Sequence, residues 1–597
     1  MMLRSLPRYR RVVSCFASVE LLVQRHLHTR PLLTSSVPRL SSTRTKIWSS
    51  KNSLPKETRT MDKVIYAAVD SLVEKDASRP AIVSARDPQV AMTVLELKKS
   101  MKALESFLYN CDFKKSDVAT VLLPNCCEYP VILTAVMARG GVVSTAPPHL
   151  TEHEINILLR DNQSKFVFAA GALLEPVIAA AKKNKNIQTI VAIRFKKQVQ
   201  IPTGIVPWDT VMEAKGTAPR VKIEQDDLAA LPYSSGTTGI PKGVMLTHRN
   251  LLAGVNGLKV HYEKEIVPKV FPDCGSEEAV LKKTAAPVVV FLPFYHIFGL
   301  AVLLLKVITG ATIVQLPKFD PDVFLTALQK IKPWELAIVP PVGLLLAKHP
   351  VVDKFDLSSI RFIVNGAANL PEEVALALKK RLPNASVAQA YGLTETVALS
   401  TLPTALGEEA LNNVGVPGPG IKLKITDRYG QDLGVNERGE IAVSGENIMS
   451  GYYRNLAETK KVIRHGWFFT GDIGYVDEKD QLHVVDRIKE LIKVKGLQVA
   501  PALLESQLLK NTKIADVAVV GTPHPEFGEV PKAYVVRADP NLTEDEVKKT
   551  ISDKLAKHNW LEGGVDFVKE IPKSQAGKIL RRVLRNKQKS NSNVDPN

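Results

Sequence analysis

The body of this 597-residue chain alternates apolar, strand-like runs with helical patterns, and this alternation limits the folds it can adopt. Residues 116–123 form an apolar run that precedes a helical pattern over 127–137, and residues 166–169 and 173–182 repeat this order. Strands that alternate with helices build layered α/β domains. After about residue 413 the pattern changes to short strands separated by turn residues. We therefore predict a large N-terminal domain with α/β-layered subdomains and a small β-rich subdomain.

A second, smaller domain is predicted to begin near Lys489. Beyond that residue the chain shows a helical pattern, two strand patterns and a second helical pattern, at 502–510, 514–521, 532–536 and 544–557. Such a mixture predicts a compact α+β unit. The predicted division of the chain is a leader at 1–60, a large domain at 61–488, a small domain at 489–585 and a disordered tail at 586–597.

The net charge of +18 is concentrated at the N-terminus. Residues 1–60 carry nine Arg and three Lys against Glu20 and Glu57, so that ten of the eighteen excess charges lie there. A segment rich in Arg and Ser, with no acidic residue before Glu20, is typical of a mitochondrial transit peptide. The alternatives are a disordered basic tail and a shorter cytosolic form that starts at Met61.

The composition argues against several functional classes. Once the leader is set aside, the remaining basic excess gives no reason to expect nucleic-acid binding. Five cysteines without a Cys-x-x-Cys pair predict neither a zinc site nor a disulfide framework. The uncharged run at 285–305 has the length of a transmembrane helix. Pro287, Pro293 and Gly299 interrupt it, and residues 288–292 are predicted to form a buried strand instead.

A loop of glycines and small hydroxylic residues lies between apolar, strand-like segments at 228–233 and 244–246. Glycines let backbone N–H groups turn towards an anion, hydroxyls add donors, and a lysine adds a full charge. The order Gly236-x-x-Gly239-x-x-Lys242 differs from that of a P-loop. A mobile linker is the alternative, but its flanks would not be apolar. The residues predicted to bind a polyphosphate are Ser234, Ser235, Gly236, Thr237, Thr238, Gly239 and Lys242.

This loop is one of six blocks that resemble the adenylate-forming enzymes, in the branch of 4-coumarate:CoA ligases, fatty acyl-CoA synthetases and beetle luciferases. The other blocks occur in the family's order at 292–299, 389–395, 467–472, 486–501 and 571–578. The resemblance extends from Met61 to Arg585. It implies an acyl-CoA ligase that uses ATP, Mg²⁺ and coenzyme A, forming an acyl-adenylate and then a thioester. The implied partners are small molecules: a carboxylic acid, ATP and CoA.

The nucleotide site is inferred from charge and from this resemblance. A carboxylate must attack the α-phosphorus of ATP, so cations and donors are needed where negative charge accumulates. Glu395 is predicted to follow a strand and to bind magnesium, because a hard carboxylate oxygen suits that ion. By resemblance, Asp472, placed in a turn after Gly471, binds the ribose with Arg487, and Tyr391 stacks on adenine. The resemblance adds Gly366, Ala367, Ala368, Gln389, Gly392 and Thr394 to the nucleotide contacts.

Two lysines of the small domain resemble residues that serve different half-reactions in the family. Lys578 matches the lysine used in adenylation, and Lys493 matches the one used in thioester formation. The family moves its small domain between the two steps, and Lys489 resembles the pivot. Lys495, Gly496 and Gln498 match positions at the pantetheine tunnel, and Lys318 matches a coenzyme A contact. The resulting catalytic set is Lys578, Lys493, His296, Thr238 and Glu395.

The acyl side of the predicted site is apolar. His296 lies among aromatic residues and resembles the family's gate to the acyl pocket, to which Tyr295, Phe298, Ala398 and Leu399 are also assigned. Plant 4-coumarate ligases usually have Ala-Gly-Pro-Val where this chain has residues 396–399 as Thr-Val-Ala-Leu. A pocket without a phenol-binding hydroxyl favours a medium- or long-chain fatty acid. A 4-coumarate-like aryl acid ligase and a luciferase-like oxygenase remain the alternatives.

Overall fold

The computed structural model describes residues 46–195, 200–234, 241–404, 406–407, 410–495, 497–574 and 577–592, with side chains as far as residue 587.

The first sheet of the large domain is mostly parallel and is covered by helices. Its parallel strands are Leu228–Ala230, Val142–Thr145, Val118–Leu122, Phe166–Ala170, Thr189–Ile193 and Val206–Pro207, in that spatial order. The associated helices are Glu128–Ala138, Glu152–Asn162, Leu174–Lys182 and Trp208–Met212. The strands at 118–122 and 166–170 are buried along their whole length, as expected where both faces of a sheet are covered.

An antiparallel extension of this sheet frames the glycine-rich loop. Strand Lys242–Thr247 pairs with Tyr233–Ser234, with Leu228–Ala230 and with Gly451–Tyr452. Ser234 lies opposite Lys242, so the two strands that flank the loop in sequence pair with each other. The strand character predicted for both flanks of the loop is confirmed.

Two further sheets complete the α/β layers of the large domain. One contains Val288–Val290, Ile313–Gln315 and Pro80–Ser84 in parallel, with Ala91–Thr93 antiparallel at its edge. The other contains Glu335–Ile338, Phe362–Asn365 and Ser386–Gln389, all parallel. The helices of this region are Met61–Asp76, Val94–Asn110, His248–His261, Val267–Val270, Glu277–Thr284, Ile297–Thr309, Pro321–Ile331, Pro340–Lys348 and Glu372–Arg381, with a π-helical turn at Tyr262–Ile266.

The apolar run at 285–305 is divided between a buried strand and a helix of 13 residues, Ile297–Thr309. The strand predicted near 288–292 is therefore confirmed. Across the described part of the chain, no helix combines the length and apolarity required to cross a membrane.

The β-rich subdomain predicted after residue 413 is also confirmed. Its main sheet contains Trp48–Ser49, Lys422–Thr426, Gly439–Ser444, Trp467–Val476, Ile463–Arg464 and Leu482–Arg487. A smaller pair, Thr401–Leu402 with Val416–Pro417, and the short helix Leu456–Val462 lie beside it.

The small domain has its own apolar core, which includes Leu504, Val519, Val535 and Val547. Its strands are Ile492–Val494, Leu497–Val499, Ile514–His524, Gly528–Arg537 and Val565–Phe567, and its helices are Pro501–Leu509, Glu544–Ser552 and Arg581–Ser592. The last helix continues through residues that the sequence assigned to a disordered tail. That assignment is wrong for 586–592, because the helix begins inside the domain and packs its buried Leu584 against the sheet.

The leader was predicted to extend to residue 60, and this boundary is also wrong. Trp48 is 4% exposed, belongs to the main apolar core, and pairs with Leu423 of the β-rich sheet. Asn52 donates a hydrogen bond to Glu265 at 2.9 Å, and the buried amide of Met61 donates to His248 Nδ1 at 3.1 Å. Residues 46–60 are thus part of the large domain.

This packing predicts that a chain starting at Met61 is less stable than one starting at Lys46. The shorter chain loses Trp48 and places a charged N-terminus beside His248, whose pKa is lowered to about 4 by burial. Removing a buried Trp typically costs about 3–5 kcal/mol. Thermal unfolding of the two truncated proteins measures the difference. Equal melting temperatures would show that residues 46–60 contribute nothing to the fold.

Candidate active site

A cavity of about 810 Å³ lies where the large domain, its β-rich subdomain and the small domain meet. It opens beyond the carboxyl ends of the strands at 335–338, 362–365 and 386–389, the edge at which open α/β sheets bind ligands. The predicted nucleotide residues that line it are Ala367, Ala368, Gln389, Tyr391, Gly392, Asp472 and Arg487. The predicted catalytic Lys578 and Gln498, which the sequence assigned to the pantetheine tunnel, also line it.

Asp472, Tyr391 and Arg487 form a hydrogen-bonded cluster at the centre of the cavity. The Tyr391 hydroxyl donates to Asp472 Oδ2 at 2.7 Å, and Arg487 Nε lies 3.2 Å from Asp472 Oδ1. Asp472 is only 4% exposed, and burial raises the pKa of its carboxyl. The structure places Asp472 inside strand Trp467–Val476 and not in the predicted turn. The strand is irregular there because Gly471 has a φ of +74°.

Gln389 holds part of the cavity wall through hydrogen bonds to backbone atoms. Its Oε1 accepts a hydrogen bond from Leu370 N at 2.8 Å, and its Nε2 donates to Leu411 O at 2.7 Å. These bonds fix the loop that follows strand Phe362–Asn365, in which Ala367 has a φ of +68°. Gln389 therefore acts on the cavity through the positions of Gly366–Ala368.

The phosphate end of the predicted site brings together Ser234, Lys242 and Glu395. Glu395 lies in a 3₁₀ turn, Thr394–Thr396, and is 8% exposed. Its Oε1 accepts from the Tyr452 hydroxyl at 2.9 Å and from Ser234 Oγ at 3.4 Å. The rest of the predicted loop, Ser235, Gly236, Thr237, Thr238 and Gly239, lies outside the described residues.

The sequence did not identify Glu458 and Tyr452 as site residues. Lys242 Nζ lies 2.6 Å from Glu458 Oε2 and 5.0 Å from the centre of the Tyr452 ring. The hydrogen bond from Lys242 lowers the pKa of Glu458 to about 2, and Lys461 adds to this effect. An Asn three positions before a Glu is a sequence signal for the start of a helix. Asn455 does cap helix Leu456–Val462, which carries Glu458. Nothing in the sequence links this helix to Lys242.

His296 is enclosed on the acyl side of the site. It caps helix Ile297–Thr309 by accepting from Phe298 N at 3.3 Å. Burial and, to a smaller extent, the charge of Lys578 lower its pKa to about 4, so the imidazole is neutral at neutral pH. The Phe298 ring faces Gly366 so closely that a Cβ on Gly366 would lie 2.9 Å from it. Tyr295 is held nearby, since its carbonyl accepts from Thr145 Oγ1 at 2.8 Å.

The other two residues predicted for the acyl pocket, Ala398 and Leu399, differ in their burial. Ala398 is half-buried and has a φ of +60°. Leu399 is fully buried, and its side chain fills the space beside Gly257 and Gly418. Leu399 is therefore a packing residue of the loop that carries Glu395.

The two predicted catalytic lysines lie in different surroundings. Lys578 lines the cavity, and Gly577, with a φ of +78°, brings its loop against Pro341. Lys493 is exposed on strand Ile492–Val494, and its backbone amide donates to Glu529 Oε2 at 2.9 Å. Lys489 is exposed between the two domains. Of these three lysines, Lys578 lines the cavity in this orientation, and Lys493 and Lys489 do not.

The residues assigned to coenzyme A lie in both domains. Lys318 is exposed in the loop before helix Pro321–Ile331. Lys495 has a φ of +49°, and its Nζ lies 4.0 Å over the Phe527 ring. Gln498 lies at the edge of the cavity, and Gly496 is outside the described residues. Lys495 directly follows strand Ile492–Val494, which pairs with the strand that carries Gln498, whereas Lys318 belongs to the large domain.

Comparison with protein families gives two matches. The model of AMP-binding enzymes matches residues 69–453, and that of the AMP-binding enzyme C-terminal domain matches residues 503–578. The first match lies in the large domain and the second lies in the small domain.

Similar proteins of known name match most of the chain. 4-Coumarate–CoA ligase 2 of Oryza sativa subsp. japonica is 38% identical over 513 residues, covering 83% of this chain and 87% of that protein. Probable 4-coumarate–CoA ligase 1 of Dictyostelium discoideum is 38% identical over 495 residues, covering 80% and 87%. The structure of ATP-bound MatB from Rhodopseudomonas palustris aligns with a TM-score of 0.76 at 27% identity, covering 89% of this chain and 99% of MatB.

The surroundings of Lys578 predict an unusually acidic ammonium group. Burial lowers its pKa to about 8, and the nearby positive charge of Arg487 contributes in the same direction. Competitive labelling with acetic anhydride over a pH series, read out by peptide mass spectrometry, should titrate Lys578 near pH 8. Arg487→Gln should raise that midpoint because it removes a repelling charge. A Lys578 midpoint near 10.5, unchanged by Arg487→Gln, would contradict the described placement.

Proposed function

This chain belongs to the AMP-binding enzyme family and is an AMP-forming acid–CoA ligase, and we propose that its acid is a medium- or long-chain fatty acid. The observation that carries the proposal is the apolar, tightly packed acyl side. Phe298 lies against Gly366, and the partly buried His296 is neutral. An aliphatic chain needs no polar partner there, whereas a phenol would lose its hydrogen bonds to water.

In the first half-reaction the acid and ATP give an acyl-adenylate and pyrophosphate. We assign ribose binding to Asp472 and Arg487, and adenine contact to Tyr391 and the loop at 366–368. Lys578 is the cation placed to offset the repulsion between the acid carboxylate and the α-phosphate. Its lowered pKa in the free enzyme reflects burial, and an anionic ligand would favour its charged form.

Glu395 is the residue we propose to hold a magnesium ion. Its carboxylate lies beside the Ser234 hydroxyl and near the strand that carries Lys242. The described residues contain no group of three or more His, Cys, Asp and Glu side chains that could hold a metal. One carboxylate fits magnesium, which usually takes its other ligands from phosphates and water. A magnesium requirement unchanged in Glu395→Gln would contradict this assignment.

An aryl acid of the 4-coumarate type is the second candidate. It is favoured by the names of the relatives, which are 4-coumarate–CoA ligases at up to 38% identity. Both candidates share the same adenylation chemistry, so only the acid distinguishes them.

A panel of acids, assayed by pyrophosphate release with CoA present, tests the choice. We expect decanoate and longer fatty acids to give higher kcat/KM values than cinnamate. We expect cinnamate to exceed 4-coumarate by at least about tenfold, the usual effect of one unpaired buried hydroxyl. Phe298→Tyr should narrow that gap and Phe298→Leu should not. A wild-type preference for 4-coumarate over decanoate would favour the second candidate.

We further propose that the enzyme is mitochondrial, with a leader that is removed before Lys46. The basic, Arg-rich composition of residues 1–45 supports this, and the buried Trp48 sets the downstream limit. N-terminal sequencing of protein from purified mitochondria tests it, and an abundant form that begins at Met1 or Met61 would contradict it.

The two lysines should separate the half-reactions if the small domain rotates between them. Lys578→Ala should lower acyl-adenylate formation by about a hundredfold or more, the usual effect of removing one donor to a transition state. It should still convert supplied acyl-adenylate and CoA to thioester. Lys493→Ala should form acyl-adenylate but transfer it poorly. Equal losses in both half-reactions for both variants would rule out the two-orientation mechanism.

A further inference from the structure

One helix of the small domain, Pro501–Leu509, is held by the large domain at both of its ends. At its start, Asp486 Oδ2 accepts a hydrogen bond from Ala502 N at 3.1 Å. At its end, Lys510 Nζ lies 3.7 Å from Glu373 Oε1. Asp486 precedes Lys489 in the chain and Ala502 follows it. The Asp486 bond therefore crosses the proposed pivot.

Asp486 supplies a cap that the helix does not have within its own domain. The residue before the helix is Ala500, which makes no capping hydrogen bond through its side chain. The first amide groups of a helix lack partners inside it, and a carboxylate there is favoured by the helix dipole as well. The second oxygen of Asp486 accepts from Arg487 N at 2.7 Å, which fixes the carboxylate in place.

The capped helix is connected to Lys578 through buried ion pairs. Glu505, on the same helix, binds Arg581 Nη2 through both oxygens at 2.7 Å. Arg581 also binds Glu490 at 2.8 Å and the carbonyl of Val519 at 3.1 Å. It lies three residues after Lys578. All of these groups follow Lys489, so they would move with the small domain as one body.

We propose that Asp486 is a positioning residue that holds the small domain in its adenylation orientation by capping helix Pro501–Leu509 across the pivot. The capped helix places Arg581, and through it Lys578, at the nucleotide cavity. The bond must break before Lys493 can replace Lys578. This inference rests on the proposed function, in particular on rotation about Lys489.

The test compares Asp486→Ala, which removes the cap, with Asp486→Asn, which keeps an acceptor oxygen and loses the charge. Loss of a helix cap typically changes an equilibrium by about 2-fold to 30-fold. In Asp486→Ala, single-turnover acyl-adenylate formation should fall by about tenfold, with a smaller loss in Asp486→Asn. Thioester formation from supplied acyl-adenylate and CoA should be unchanged or faster in both variants.

Thr543→Ala is the matched control. Thr543 caps helix Glu544–Ser552 by accepting from Glu546 N at 3.3 Å, and both residues belong to the small domain. This variant removes a cap of the same kind without altering any contact across the pivot. It should leave the ratio of the two half-reaction rates at its wild-type value. An equal change of that ratio in Thr543→Ala and Asp486→Ala would overturn the proposal.

Trypsin cleavage after Lys489 gives a readout of orientation that does not depend on catalysis. A small domain that is less often docked should expose the linker more, so Asp486→Ala should be cut faster than wild type and Thr543→Ala should not. If Asp486→Ala does not fold, Asp486→Asn is compared with wild type and Thr543→Ala in its place. Wild-type cleavage and wild-type rates in a folded Asp486 variant would overturn the proposal.

A failure of this proposal can be distinguished from a failure of the proposed function. The variants and the wild type are compared with the same acid, so the test needs only one acid that is turned over and does not require the natural acid to be a fatty acid. If Lys578→Ala and Lys493→Ala affect both half-reactions equally, rotation itself is wrong. If those variants differ as expected and Asp486→Ala matches wild type, only the role of Asp486 is wrong.

Discussion

Three parts of the chain meet at the buried carboxylate of Asp472. Tyr391 reaches it from the loop after a parallel strand, Asp472 itself belongs to the β-rich sheet, and Arg487 ends the last strand before the linker. A buried carboxylate is costly unless it is paired and hydrogen-bonded. The cluster therefore fixes the large domain and the linker relative to each other. The other residues that line the cavity, such as Gln389, Gly392 and Lys578, surround this cluster.

The surroundings of the two lysines of the site, Lys578 and Lys242, affect their positive charges differently. Lys578 must be buried to act where water is excluded, yet burial and Arg487 both disfavour its charge. Lys242 is neutralised differently, by an ion pair with Glu458. A phosphate group that binds Lys242 must compete with that carboxylate. The positive charge is therefore opposed by burial and by Arg487 at Lys578, whereas at Lys242 it is balanced by an ion pair.

Much of the architecture could be predicted because its signals are local in sequence. The buried strand at 288–290, the hairpin around the glycine-rich loop and the strands of the small domain each have a continuous apolar pattern. Trp48–Ser49 could not be predicted, because a strand of two residues has no periodicity and its partner, Lys422–Thr426, lies far along the chain. The basic composition of the first 60 residues also masked the point at which the fold begins.

The functional residues divide in a similar way. Asp472, Tyr391, Arg487, Glu395 and Lys578 were found through short motifs, and the structure brings the first three and Lys578 to one cavity. Glu458 was not found, because its partner Lys242 is 216 residues away and ion pairs at that separation leave no pattern. Leu399 was assigned to the acyl pocket, but its side chain fills the space beside two glycines. Sequence motifs identify which residue types are present, whereas side-chain direction depends on packing.

Asp486 and Arg487 are neighbours at the end of one extended strand, where successive side chains point to opposite faces. Arg487 turns to the buried carboxylate of Asp472, and Asp486 turns to the first helix of the small domain. The contact of Arg487 with Asp472 and the contact of Asp486 with the small domain are therefore separated along the chain by one peptide unit. Communication between them requires no long relay through the core. A small rotation of this strand end would alter both contacts together.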